Sequence, residues 1–207
     1  MFALVDKSDN SITRMLNGSR GITLNDLQYP RAIYTLWSEA ERNAIGIYTV
    51  EYDDSNKKDE KWYINTNQSY AFGSGKVTAT YGTATAKAHA DTTWTQQQID
   101  DGDAPDGADT DTVAVEGLKT KLIRTVKAQA EGELNRTDWY ITRKAEKNTA
   151  IPSAITTHRD AVRSKQDSMC TAITNASDTP ALETLYTYTK QDDGSVTRPL
   201  GELPNLE

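Results

Sequence analysis

The apolar residues of this chain change their spacing midway, and a fold made of one kind of secondary structure cannot accommodate the change. In the second half Leu118, Leu122, Val126 and Ala130 recur at every fourth position, with Ile123 and Leu134 widening the stripe. Lys119, Lys121, Arg124 and Lys127 fall mostly elsewhere, which is the pattern of an amphipathic helix. Ile155, Val162, Met169, Ile173 and Ala176 make a comparable stripe on a helix that Pro152 should open, since proline is tolerated in a first turn. The two stripes predict an antiparallel pair. In the first half the runs are strand-like instead: Phe2–Val5, Trp62–Ala71 and Val77–Tyr81. The expected fold class is α+β, with an N-terminal β-rich module containing one short helix and a C-terminal helical hairpin followed by a short third helix and an extended tail.

Local punctuation sharpens this outline. Phe72-Gly73-Ser74-Gly75-Lys76 separates two strand-like runs and predicts a hairpin whose glycines take positive φ. Ser38 three residues before Glu41 is a capping box, and Gly46 supplies the stop, so a helix is expected over 39–45. The following Ile47–Tyr52 reads as a strand with Ile47, Thr49 and Glu51 on one face and Tyr48, Val50 and Tyr52 on the other, the second face buried. Asp178-Thr179-Pro180 predicts a cap for the third helix, at about 180–189.

Four regions follow: a β-rich module over 1–86, an acidic linker over 87–113, a helical module over 114–190 and an extended tail over 191–207. The linker reading rests on the loss of periodicity and on the run Asp100–Asp111, which repels itself and has few apolar anchors beyond Trp94 and Ile99. In the tail, Leu200 and Leu203 stand among prolines and suit a strap across a neighbouring chain. Apolar residues are 36% of the chain and its mean hydropathy is −0.69, thin enough that some burial is expected to come from neighbouring subunits. A net charge of −7 repels a phosphate backbone, so nucleic acid is an unsuitable partner. No run is long enough to span a membrane, and the opening Met-Phe-Ala-Leu-Val-Asp does not resemble a signal peptide, so a soluble compartment is expected.

The candidate chemistries each have a plainer account. Asp101, Asp103, Asp106, Asp109 and Asp111 offer hard oxygens for calcium, but the order of an EF-hand fails at Pro105, Asp106 and Thr112, and a solvated loop is expected. A hydrolase would need His89 or His158 beside a nucleophile, and no Gly-x-Ser-x-Gly elbow exists; Gly73-Ser74-Gly75 is better explained as the hairpin turn. His158 and Cys170 read as packing residues, and a lone cysteine excludes an intramolecular disulfide. Asp53, Asp59 and Glu60 lie in a mixed-charge connection that water reaches, where a carboxyl is not raised for acid catalysis. Phosphate loops are absent, and the four Asn-x-Ser/Thr matches carry no weight without a secretory signal.

One constellation remains. Leu134, Thr137, Asp138 and Trp139 are followed about twenty residues later by His158-Arg159-Asp160-Ala161-Val162-Arg163. Asp138 suits a turn, the Trp139 indole could cover the seam between the helices, and Arg159 and Arg163 share a helix face, either solvated or forked onto Asp138 or a neighbour's carboxylates. This pattern resembles the C-terminal module of tailed-phage tail assembly chaperones, or tail-fibre assembly proteins. Its leucine, Thr/Ser-Asp-Trp, Arg, aliphatic and Arg are matched by Leu134, Thr137, Asp138, Trp139, Arg159, Val162 and Arg163, with His158 where an aromatic is usual and Ser164 where an acid is common. Tyr29-Pro30, Ala32–Thr35, the capped helix and Gly46-Ile47-Tyr48-Thr49-Val50 resemble the N-terminal part of the same proteins.

The resemblance implies a non-enzymatic protein without cofactor or metal, whose partners are other phage tail proteins. Its place would be the virion tail and, during assembly, the host cytoplasm. Two roles fit: a structural component of the tail, baseplate or fibre-attachment region in a homo-oligomeric or symmetric assembly, and a chaperone that leaves after assembly. The strap-like tail and thin cores favour the first. A wall-degrading tail enzyme is disfavoured by the missing acid/base pair. The candidate interface residues are Thr137, Asp138, Trp139, Arg159, Arg163, Leu200 and Leu203.

Overall fold

Phe2–Val5 sets the plan of the N-terminal half, because its alternation buries Ala3 and Val5 in one cluster while Phe2 and Leu4 pack into another. The computed structural model describes residues 1–206, which divide between two units, Met1–Thr85 and Ala86–Glu207. The first runs through β1 (Phe2–Val5), β2 (Ile12–Leu16), β3 (Ile22–Leu24), β4 (Leu27–Tyr29), α1 (Ile33–Leu36), α2 (Glu39–Ala44), β5 (Ile47–Asp53), β6 (Tyr63–Ile64), β7 (Gln68–Gly73) and β8 (Lys76–Tyr81), and leaves through β9 (Thr85–Ala86). Five strands form one sheet in the order β2-β1-β5-β8-β7, antiparallel except where β5 meets β8 in parallel. The chain therefore passes beyond the place of β8, forms the outer strand β7, and turns back to fill the gap.

That return is the expected hairpin. Its two-residue turn puts Ser74 at φ 51° and Gly75 at φ 77°, so the serine takes one of the positive values that the sequence assigned to glycines. A second tight hairpin joins β3 to β4 through Asn25 and Asp26, at φ 48° and 62°. Together with α1 and α2 this hairpin covers one face of the sheet. Ile22, Ile33, Tyr34 and Ile47 form that core, while Ala3, Val5, Tyr48, Val50, Val77 and Ala79 form the core of the other face.

This arrangement corrects two readings of the sequence. Ile47 is as buried as Tyr48 and Val50, and Tyr52 is exposed, because the sheet is covered on both faces at the start of β5 and on neither beyond Val50. The module has two short helices rather than one, since a single turn at Ile33–Leu36 is too short to show a helical period. The capping box on α2 is present as expected, with the Ser38 hydroxyl accepting from the Glu41 amide and the Glu41 carboxylate accepting from the Ser38 amide.

The second unit carries β10 (Thr92–Thr93), α3 (Gln96–Asp100), β11 (Val113–Val115), α4 (Leu118–Asn135), α5 (Asp138–Lys147), α6 (Ser153–Asn175), α7 (Thr179–Tyr186), β12 (Thr189–Lys190) and β13 (Val196–Thr197). α4 and α6 pack as the predicted antiparallel pair. The start of α4 meets the end of α6 where Lys119 donates to the Thr174 carbonyl at 2.8 Å, and its end meets the start of α6 at Leu134 and Arg159. Leu122, Val126 and Ala130 of one stripe and Val162, Met169 and Ile173 of the other are buried.

The segment 87–113 is not a linker, because it supplies the bonds that the first turn of α4 lacks. The Leu118 and Lys119 amides donate to the carbonyls of Ala88 and His89 at 3.0 and 2.9 Å, and the Asp91 carboxylate accepts from the Gly117 amide at 2.6 Å and the Thr120 hydroxyl at 2.7 Å. β10 and β11 then pair antiparallel and close the acidic stretch into a loop. α7 begins at the expected Asp178 cap, which accepts from the Ala181 amide, and the buried Thr179 hydroxyl donates to the Lys87 carbonyl at 2.6 Å.

The tail is likewise not a free strap. β12 and β13 form a hairpin, the Leu200 amide donates to the Leu185 carbonyl at 3.0 Å, and the Leu200 side chain is buried. Arg198 lies 5.2 Å from the rings of both Tyr186 and Tyr188 and pairs with Glu202 at 2.8 Å, which holds the turn before it. Apolar burial available within the chain's own unit is the physical reason that this segment folds back.

Candidate protein-binding site

At the end of α4 three donors converge on one carbonyl. The Leu134 oxygen accepts from the Thr137 amide at 3.0 Å, from the Thr137 hydroxyl at 2.9 Å and from the Arg159 guanidinium at 2.9 Å. The same guanidinium nitrogen reaches Thr137 Oγ1 at 2.6 Å and Asp138 Oδ1 at 2.8 Å. The threonine hydroxyl spends its one proton on Leu134 and offers a lone pair to the arginine, so its bonding capacity is used on both sides. Thr137 is fully buried, Arg159 is nearly so, and about half of the Asp138 side chain remains in water. Arg159 thus ties the carbonyl end of α4 to the amino end of α5, where its positive charge and the negative charge of Asp138 each complement a helix dipole.

The sequence left Arg159 either solvated or bonded to Asp138 or a neighbour's carboxylates; the structure bonds it to Asp138 and, beyond that reading, to Thr137. Arg163 does not join them; it is exposed and bonds Asp160 at 3.2 Å on its own helix. His158 is buried, and its Nε2 has no hydrogen-bond partner among the described residues. Trp139 requires a correction. It was expected to cover the seam between the helices, but it is 51% exposed. Asp138 opens α5 rather than forming a turn, and a helix rotates each successive side chain by about 100°, so fixing Asp138 against Arg159 carries Trp139 away from the seam.

Outside, Trp139 joins a stack. Its ring centroid lies 3.9 Å from that of Tyr140, and the Arg143 guanidinium sits 4.7 Å from the indole and 5.2 Å from the phenol. Ile141 is 44% exposed beside them. α5 has no buried residue along its length, and Asn148 ends it in the left-handed conformation at φ 50°. Exposed Trp139 and Ile141, backed by half-buried Tyr140 and Arg143, have the composition of a protein-binding surface. Sequence reasoning missed Tyr140, Ile141 and Arg143; the four-residue spacing of Trp139 and Arg143 was the available signal.

The remaining candidates stand elsewhere. Leu200 is buried in its own unit, and half-buried Leu203 lines a shallow cleft with Gln129, Glu133 and Met169, so neither is presented to a neighbour. Tyr63 is buried. Asp53 is exposed and the Ser55 hydroxyl and amide hold its carboxyl below the usual range, the opposite of what acid catalysis needs. Burial pushes the Cys170 thiol up, away from nucleophilic character. In the acidic loop Asp109 serves the backbone, accepting from the Thr112 hydroxyl at 2.7 Å and the Asp111 amide at 3.1 Å. Among the described residues no three His, Cys, Asp or Glu side chains gather as metal ligands, and no helix is long and apolar enough to cross a membrane. No protein-family model matches the chain, and neither a curated protein nor a solved structure is significantly similar to it.

Proposed function

We propose that this chain is a non-enzymatic protein of a tailed phage that acts by contact with other tail proteins, through the outer face of α5. The observation that carries this reading is α5 itself: a ten-residue helix with no buried residue that is nonetheless locked at its first turn by Arg159 and turns Trp139 and Ile141 to solvent. A helix that contributes no core and is still fixed in place suits recognition. Of the residues in the pattern that resembles tail assembly chaperones, Leu134, Thr137, Asp138 and Arg159 make this lock.

Of the two roles, assembly chaperone and permanent virion component, the first is favoured by the tail. Leu200 packs within its own unit, which speaks against the strap that had favoured permanent incorporation. Phage lacking the gene should produce particles deficient in fibres or tails, and quantitative mass spectrometry of purified wild-type virions should not find the protein. A fixed stoichiometric copy number in virions would support the structural role instead. Normal assembly without the gene would overturn both.

A further inference from the structure

An open cleft of about 510 Å³ in the first unit is lined by the end of β2, the loop that follows it and Tyr34 of α1. Its charge is unusual for this chain. Arg14 and Arg20 both line it, no carboxylate does, and neither arginine has an ion pair among the described residues. In the second unit Arg124, Arg136, Arg159, Arg163 and Arg198 each find an acid, and Arg143 has no ion pair among the described residues. With 30 acidic residues against 23 Lys and Arg, two arginines left without an acid beside one cleft form a local positive field against the net charge.

The rest of the cleft mixes polar and apolar groups and is shaped in advance. Met1, Met15 and Leu16 supply carbon surface, with nearly buried Ile22 and Tyr34 behind them. Gly18, at φ +70°, lets the loop lie against the Phe2 and Tyr34 rings, where a Cβ would approach both at 3.2–3.3 Å, and a Cβ on Gly21 would press on the Tyr29 carbonyl. The Ser19 amide and hydroxyl both donate to Asn17, at 3.0 and 2.6 Å, which fixes the turn. Burial pushes the Tyr34 phenol up, and the Arg14 charge partly offsets this.

We infer that this cleft binds a ligand with a carboxylate head and an apolar body, the head held by Arg14 and Arg20 and the body laid on Met1, Met15 and Leu16. A guanidinium keeps its charge and matches a carboxylate with two parallel donors. The volume falls within the range of small-ligand sites. The carboxylate could belong to a free small molecule or to a peptide terminus; the chemistry recognised is the same.

The test is a titration of the full-length, ¹⁵N-labelled protein with N-acetyl-leucine, followed by amide chemical shifts at constant ionic strength. Saturable shifts at Ser19, Gly21 and Ile22 are expected. N-acetyl-leucinamide, which has the same apolar body and no charge, should bind at least tenfold more weakly, and so should inorganic phosphate, which has charge and no body. The peptide source is tested by acetyl-Ala-Leu, which should bind at least as well as N-acetyl-leucine if a chain terminus is the better ligand and more weakly if the ligand is small; either order is consistent with the site. Arg14→Gln combined with Arg20→Gln should weaken N-acetyl-leucine at least tenfold with an unchanged melting temperature. Equal binding of the amide, equal binding of phosphate, or no saturable shift with N-acetyl-leucine would overturn the assignment on the wild-type protein alone. This inference is independent of the α5 surface and of the phage reading.

Discussion

Removing the Arg159 side chain would leave the Leu134 carbonyl and the buried Thr137 hydroxyl each one partner short and Asp138 unpaired. Arg159→Ala is therefore expected to lower the unfolding free energy by about 2–4 kcal/mol, less than a fully buried pair because Asp138 is half in water. Chemical denaturation measures it, and a loss within about 0.5 kcal/mol, typical of a surface change, would show that the three bonds do not act together. Trp139→Ala should behave oppositely, costing only about 1 kcal/mol from lost stacking with Tyr140 and Arg143 while abolishing partner binding. A melting temperature that falls as far as that of Arg159→Ala would put the indole in the core. In the sequence these residues stand out as a group through the pattern they match, and the opposite charges of Asp138 and Arg159 made their pairing one of the readings. The sequence did not reveal which neighbour faces outward, since that depends on where α5 starts, and Thr137 bonds backward to Leu134 instead of capping the new helix.

At the scale of elements the start of α4 is the most exacting place in the second unit. A Cβ on Gly117 would overlap the Ala90 carbonyl group, which is backbone and cannot swing away. Gly117→Ala should cost about 1–3 kcal/mol by forcing that backbone apart, and a thermal melt equal to wild type would show that the segment yields freely. Asp91 adds a pH signature. The Thr120 hydroxyl and then the Gly117 amide hold its carboxyl below the ordinary value, so the stabilisation it gives is complete above the unfolded aspartate pKa of about 3.9 and is lost as pH falls through the lower folded value. The difference in melting temperature between wild type and Asp91→Ala should thus be constant from neutral pH to about pH 5 and close at more acid pH; a difference unchanged at low pH would remove the carboxylate from the cap. The helical stripes, the Ser38 capping box and the β7–β8 turn could all be read from the chain because side chains encode them. The segment 87–113 could not, since Ala88 and His89 hold α4 through backbone carbonyls that any residue carries.

On the scale of the whole molecule, two units each close their own core. The second does so partly with its C-terminal segment, and Leu200→Ala should cost about 2–4 kcal/mol of that unit's stability while leaving the melting of the first unit in place. A single transition shifted as a whole, in calorimetry, would show that the units melt together. This packing was hidden in the sequence because the two prolines around Leu200 and Leu203 read as extended chain whether the leucines meet a neighbour or their own helices. The β10–β11 ladder offers something different. It joins Thr92 to Val115 and Thr93 to Val113, and the Trp94 amide donates to the Thr112 carbonyl at 3.1 Å, so the acidic loop leaves and re-enters the fold at one fastened point. Since doubling such a loop costs only about 0.6 kcal/mol in closure entropy, the exposed turn at Asp106-Gly107 is a site where a short epitope can be spliced in. An antibody against that epitope would then test the proposed chaperone role, by showing whether the protein is carried on assembly intermediates and absent from finished particles.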